Sequence, residues 1–159
     1  MSTDTDRMDG FLSLSAMLTA FSEFDLRGTG QSEDYLATVV AAVGAGNIDQ
    51  LLSAYASIQS AGEVQGASLD GLLRARILSD DRLGPIARNI MKLWYIGTWY
   101  AMPQEWTQAF GVGEVGGTFV VSASSYIEGL VWPAIGANPP GAKGPGYGTW
   151  ADPPTIIAT

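Results

Sequence analysis

The stretch from Pro85 to Trp106 constrains the fold of this chain more than any other, because its pattern predicts one long, largely apolar helix. Pro85 suits the first helical position, where its missing N–H has no intrahelical partner to lose. Pro103 cannot continue a helix, so the helix is predicted to end at or before Met102. Apolar residues recur at the three- and four-residue spacing of a buried helical face, at Ile86, Ala87, Ile90, Leu93, Trp94 and Gly97.

The end of this helix is crowded with aromatic residues, namely Trp94, Tyr95, Trp99 and Tyr100. At about 3.6 residues per turn they point to most sides of the helix, so one core cannot cover all of them. Either the chain's own C-terminal segment or another protein must cover the rest. Packing inside a core is the commoner role of an aromatic stripe. Trp94 shares the stripe of Ile90 and is therefore expected inside this chain's own core.

Polar residues that favour helix starts precede several other apolar-periodic segments. Asn47 with Gln50 three residues later resembles a capping box, and the remaining candidate caps are Asp9, Ser32, Ser68 and Ser122. Strand signals are too few for a sizeable sheet. The sequence predicts an all-α fold, with a disordered N-terminus over residues 1–8 and five or six helices in one bundle-like domain over residues 9–135.

The C-terminal residues 136–159 are predicted to form an extended Gly/Pro-rich tail, since ten of the nineteen residues from Gly136 to Pro154 are Gly or Pro. Such a segment forms neither a helix nor a central strand. It nevertheless carries Tyr147 and Trp150, which are residue types common at interface centres. Two placements stay open. The tail lies along a partner protein, or it folds back over the aromatic end of the central helix.

Composition narrows the classes of function. The net charge of −8 argues against nucleic acid or an anionic membrane surface as partner, because both attract clustered Lys and Arg. No apolar run is long enough to predict a membrane span. The chain has no Cys and no His, which leaves carboxylates as the only metal option, without calcium-loop spacing. The glycines of 111–117 lack a dinucleotide fingerprint. No catalytic, cofactor or metal residue is therefore predicted, and the isolated chain is expected to bind no FAD.

Four segments in succession resemble a known family. Trp94-Tyr95-Ile96-Gly97 resembles the Trp-Tyr-x-Gly signature of the small subunit of bacterial flavin-dependent sugar and polyol dehydrogenases, the group that includes sorbitol, fructose and glucose dehydrogenases. Residues 11–19 resemble the first helix of that family, and residues 126–136 its late helix. Residues 144–154, which end in Trp-Ala-x-Pro-Pro, resemble its closing tail. The succession spans nearly the whole chain.

This resemblance implies a non-catalytic subunit. In such complexes the large subunit carries FAD and the catalytic groups, and a cytochrome c subunit often relays electrons. The small subunit supports folding and often carries a twin-arginine export signal. In this sequence no second arginine adjoins Arg7, so the chain departs from the twin-arginine pattern of the family. The expected location is periplasmic if a leader was removed or a partner is exported, and cytoplasmic otherwise.

The preferred hypothesis is an accessory, chaperone-like small subunit of an FAD-dependent sugar or polyol dehydrogenase. The alternatives are a stand-alone helical binding module or homo-oligomer whose aromatics fill its own core, and a small enzyme that uses carboxylates. The aromatic surplus of the C-terminal half favours binding to a partner. The residues predicted to contact it are Trp99, Tyr100, Trp106, Tyr126, Trp132, Tyr147 and Trp150.

Overall fold

The computed structural model describes residues 2–65 and 68–143, and most of them are helical, as the sequence predicts. The helices are α1 (Ser2–Thr19), α2 (Glu23–Gly28), α3 (Ser32–Val43), α4 (Ala45–Gln65), α5 (Leu69–Leu73), a π-helical turn (Arg74–Leu78), α6 (Leu83–Ile96), α7 (Gln104–Phe110), α8 (Ala123–Ile127) and α9 (Val131–Ile135). Two short strands, β1 (Thr98–Trp99) and β2 (Phe119–Val120), pair antiparallel. Within the described residues, the four long helices are α1, α3, α4 and α6, and the others have only one or two turns. The number of helices therefore differs from the five or six predicted.

Helix α6 is the centre of the core. Its apolar stripe is buried as predicted, with Ile86, Ile90 and Leu93 fully inaccessible to solvent. The Trp94 ring packs edge-on against Tyr35 of α3 at 4.8 Å between centroids and stacks on Phe11 of α1 at 6.1 Å. The long helices α1, α3 and α4 all contact α6. The predicted central helix is thus the element that the others enclose.

Helix α6 stops at Ile96, within the predicted limit of Met102, so Trp99 and Tyr100 follow the helix and do not lie on its last turns. Gly97 takes a left-handed conformation, with φ of +65°, and closes the helix by donating its N–H to the Leu93 carbonyl at 2.8 Å. This is the usual role of a glycine just past a helix end. Because Gly97 fits the spacing of the apolar stripe, the sequence pattern did not indicate that the helix ends there.

The chain returns to this helix end after a loop. Val121 donates its N–H to the Gly97 carbonyl at 3.0 Å, and Leu130 donates its N–H to the Trp94 carbonyl at 3.0 Å. Ser125, which is fully buried, donates its hydroxyl to the Gly97 carbonyl at 3.1 Å. Residues 119–130 are therefore fixed on the C-terminal end of α6. The short strand β2 lies at the start of this segment.

We expect Ser125→Ala to lower the free energy of unfolding by about 1–3 kcal/mol, because it leaves buried polar groups without a partner. The Ser125 hydroxyl accepts the N–H of Ser122 at 3.0 Å as well as bonding the Gly97 carbonyl. Ser124→Ala is the matched control, since Ser124 is exposed and bonds only the hydroxyl of Ser122. Urea denaturation of both variants measures the difference. Equal stabilities would show that the buried hydroxyl contributes nothing.

The prediction of a disordered N-terminus over residues 1–8 is wrong, because α1 begins at Ser2. The Arg7 guanidinium binds both carboxylate oxygens of Asp49 on α4, at 2.8 and 3.0 Å, and this hydrogen bonding raises the pKa of Arg7. Met8 packs against the core. These contacts come from a distant part of the chain, so the local sequence did not indicate them.

Asn47 also has a different role from the predicted helix cap. Helix α4 begins at Ala45, and the Asn47 side chain is buried. Its amide donates to the Val43 carbonyl at 2.7 Å and to the Phe110 carbonyl at 3.4 Å, while its oxygen accepts the Nε–H of Arg82 at 2.6 Å. Asn47 thereby links the α3–α4 junction to α7. The predicted caps at Ser68 and Ser122 are confirmed, since both hydroxyls accept backbone N–H groups of the helices they precede.

Candidate functional site

A mostly apolar groove between α2 and the α8–α9 region is the candidate functional site, and we call it the α2–α9 groove. Its volume is about 480 Å³. A concave apolar surface of this size is what partner-binding and ligand-binding surfaces present. Its apolar lining consists mainly of Phe21, Phe24, Ile127, Leu130, Trp132 and Pro133.

The first wall is α2, a short helix held at both ends. Ser22 caps it by accepting the Asp25 N–H at 3.1 Å, and the Asp25 carboxylate accepts the Ser22 N–H at 3.2 Å. Arg27 pairs with Asp9 of α1 at 3.0 Å. Leu26 is fully buried, and Phe24, two residues earlier, is 85% exposed. The helix therefore holds one apolar side chain inside the protein and presents another, the Phe24 ring, to solvent.

The second wall is fixed by the end of α6. Leu130 is buried and bonds the Trp94 carbonyl, and Gly129 lies so close to Tyr95 that a Cβ would be 2.7 Å from the Tyr95 carbonyl oxygen. The Trp132 indole donates to the Tyr126 carbonyl at 2.9 Å, and the two rings meet edge to face at 5.6 Å. The wall thus presents Trp132, which is held in place by Tyr126.

The charges at the groove are already paired or engaged. Lys143 binds Glu128 at 2.6 Å at the edge of the groove, and Asp25 caps its own helix. Phe21, at the inner end, packs edge to face on Tyr95, whose hydroxyl donates to the Thr19 carbonyl at 2.9 Å. What the site offers chemically is apolar and aromatic contact, with little uncompensated charge.

The structure brings only some of the predicted contact residues to the surface. Tyr126 and Tyr100 are 41% and 37% exposed. Trp132 lines the groove, and Tyr126 packs on it from outside the lining. Lys92 covers one face of the Tyr100 ring, with its ammonium 4.7 Å from the ring centroid. Tyr147 and Trp150 lie outside the described residues, as does most of the predicted Gly/Pro-rich tail.

The predicted role of Trp99 and Trp106 as partner contacts is corrected, because both are buried in this chain's own core, at 1% and 3% exposure. The pairing of β1 with β2 sets Trp99 opposite Phe119, away from the solvent side of the hairpin. Trp106 donates its indole N–H to the Arg82 carbonyl at 2.8 Å and packs on Phe110. Neither ring is available to a partner in this structure.

Phe24 is the groove residue that the sequence analysis missed. α1 ends at Thr19, and a separate helix, α2, starts at Glu23, one residue before Phe24. The signal that marks the new start is Ser22 followed three residues later by an acid, Asp25. With the helix start placed there, Phe24 and Leu26 lie on different faces, which is what the structure shows.

Among residues 2–65 and 68–143, no three His, Cys, Asp or Glu side chains are close enough together to hold a metal ion. In the same part of the chain, no single helix has the length and hydropathy to cross a membrane. α3 and most of α4 meet those criteria only as a pair bent by 115°.

Comparisons with protein-family profiles, with curated proteins and with solved structures found no match to this chain.

Proposed function

We propose that this chain is a non-catalytic accessory subunit of an FAD-dependent sugar or polyol dehydrogenase, and that it binds and stabilises the flavoprotein subunit. FAD is then held by the large subunit, and a cytochrome c subunit is a further partner. The proposal rests on the residues that resemble the small-subunit family and on one structural observation. That observation is the α2–α9 groove, which is lined by the exposed Phe24 of α2 and by Trp132, whose ring packs on Tyr126.

The groove supports binding for an energetic reason. Leaving a phenylalanine 85% exposed forgoes the free energy of burying a large apolar ring, about 1.5–3 kcal/mol. Aromatic rings on a rigid base are the side chains that dominate interface energetics, since little conformational entropy is lost when they are covered. The motif around Trp94 supplies that base, because the backbone of residues 94–97 anchors the segment that carries Tyr126 and Trp132.

The test is co-expression of this full chain with the large flavoprotein subunit that the proposal requires, followed by size-exclusion chromatography with flavin absorbance. We expect co-elution of the two chains with flavin in the complex. Phe24→Asp is expected to weaken the complex by about 2 kcal/mol or more, roughly thirtyfold, because it places a charge in the centre of the apolar contact.

Leu69→Asp on α5 is the matched control. Leu69 is 38% exposed, lies outside the groove, and occupies the first turn of a helix, where an acid is favourable. It is expected to leave the complex unchanged. If wild-type chain and flavoprotein elute separately, the proposed function is wrong. If both variants co-elute as the wild type does, the contact lies elsewhere on the chain.

A second candidate is a stand-alone helical binding module or homo-oligomer. One observation favours it, namely that Trp94, Trp99 and Trp106 fill this chain's own core. It predicts a stable, folded protein when the chain is purified alone, with no gain in melting temperature on adding the flavoprotein. The preferred proposal predicts such a gain, because a partner that binds only the folded state stabilises it.

A further inference from the structure

A second groove lies on another part of the molecule, between the start of α1, the exposed side of α3 and the loop at 112–114. We call it the α1–α3 groove. Its volume is about 750 Å³, which is larger than that of the α2–α9 groove. Its floor is apolar, and Val112 at its edge is 80% exposed. The apolar lining consists of Met8, Leu36, Ala37, Val40, Ala41 and Val112.

Both sides of the α1–α3 groove are held in place by specific contacts. Gly113 lies against the end of α3, where a Cβ would be 2.2 Å from the Ala41 carbonyl oxygen, and Val115 donates its N–H to that carbonyl at 3.1 Å. On the opposite side, the bidentate pair of Arg7 with Asp49 fixes the start of α1 to α4. The groove is therefore preformed, so a ligand does not have to order its walls.

The edge of the groove is acidic. Asp4, Glu33 and Glu114 line it and are exposed. The one basic residue in the lining, Arg7, is already bound to Asp49 and lies 3.5 Å from Asp4. Among the described residues, Glu33 and Glu114 form no ion pair. The edge thus carries negative charge that the protein itself does not compensate.

These features determine the kind of occupant. None of the buried polar side chains in the described part of the chain lines the groove, so it lacks the convergent polar groups that orient a small ligand. Residues 144–159 contain no Lys or Arg, and a second copy of a chain with net charge −8 would add acids to an acidic edge. Charge complementarity therefore points to a basic partner, not to this chain's own tail or a second copy.

We propose that the α1–α3 groove binds an amphipathic helical segment of a partner protein, with apolar side chains on the groove floor and Lys or Arg side chains over Asp4, Glu33 and Glu114. Laying the apolar face of a helix into a hydrophobic groove is a common mode of peptide recognition. The inference concerns a different surface from the α2–α9 groove and does not depend on the identity of the flavoprotein.

The test uses the full chain and a synthetic, fluorescently labelled helical peptide with Leu on one face and Lys on the other. We expect saturable binding by fluorescence anisotropy, weakened by added salt because the charged edge is exposed. A peptide of the same composition in scrambled order, which has no apolar face, is expected to bind much more weakly. Glu33→Lys with Glu114→Lys is expected to weaken binding roughly tenfold or more, since each reversal replaces an attraction by a repulsion.

Glu63→Lys with Glu105→Lys is the matched control, because it changes the net charge equally at exposed positions outside the groove. It is expected to change the affinity by less than about twofold. Val112→Asp tests the apolar lining without reversing a charge, and is also expected to weaken binding roughly tenfold. Thermal melting followed by circular dichroism establishes that each variant is folded.

Three results would overturn the proposal. Wild-type protein that does not bind the amphipathic peptide is one. Equal loss of affinity in the groove variant and the control variant is another, because it would mean unspecific attraction to an acidic protein. Equal binding of the scrambled peptide is the third, because it would remove the role of the apolar floor. None of these results bears on co-elution with the flavoprotein, so the two proposals fail separately.

Discussion

Gly97→Ala is expected to destabilise the protein by roughly 3–5 kcal/mol, which is a large part of the stability of a typical domain. Two costs add at this position. The φ of +65° is unfavourable for any residue with a Cβ, and the added Cβ would lie 2.5 Å from the Ser125 carbonyl oxygen and 2.6 Å from its carbonyl carbon. These are backbone atoms, so no rotamer change relieves the contact. Urea denaturation at constant temperature measures the loss.

Gly30→Ala separates the two costs. Gly30 has a φ of +70°, close to that of Gly97, but no atom lies within 4 Å of a Cβ built there. It is expected to lose only the conformational part, about 1 kcal/mol. A loss at Gly97 no greater than that at Gly30 would mean that residues 119–130 move away from α6 at little cost, contrary to the contacts described above.

Trp94→Ala is the second large effect, with an expected loss of about 3–5 kcal/mol in the free energy of unfolding. The ring is 1% exposed and contacts Phe11 and Tyr35, so its removal leaves a cavity where α1, α3 and α6 meet. The exposed Phe24→Ala is the control and is expected to change the stability by less than about 0.5 kcal/mol. Thermal and urea unfolding measure both. An unchanged melting temperature for Trp94→Ala would contradict the central position of this ring.

A third substitution at the same site tests a finer point. The Trp94 indole N–H is buried without a hydrogen-bond partner among the described residues. Trp94→Phe removes that unsatisfied donor while it keeps an aromatic ring against Tyr35. We therefore expect it to cost clearly less than Trp94→Ala, because the loss of volume is partly offset by removal of an unfavourable buried group.

The sequence was sufficient where the decisive interactions are local or periodic. The stripe from Ile86 to Trp94 predicts a buried face, and a single buried face is a property of spacing alone. The caps at Ser68 and Ser122 are confirmed because a cap depends on a few neighbouring residues. The all-α class follows from the same periodic signals.

The sequence was insufficient where a residue depends on a distant partner. Residues 2–8 are helical because Arg7 reaches Asp49, which is 42 positions away. Trp106 is buried because its indole reaches the Arg82 carbonyl, and Trp99 because the chain returns to pair at Phe119. An aromatic residue outside a periodic stripe carries no local sign of whether its own chain covers it.

The candidate groove illustrates both cases. Tyr126 and Trp132 were identified as contact residues from their type and position, and the structure places both rings together. Phe24 was missed because α2 was not predicted as a separate helix, although Ser22 and Asp25 mark its start. The direction of a side chain depends on which helix carries it, since successive residues lie about 100° apart around that helix's axis.

The central position of α6 has a consequence for synthesis on the ribosome. The rings of Phe11 and Tyr35 pack on Trp94, which is translated long after them. Until α6 has left the exit tunnel, the apolar faces of α1, α3 and α4 have no complete core to enter, and exposed apolar surface of this kind promotes aggregation. We therefore expect the nascent chain up to residue 82 to stay incompletely folded until α6 emerges.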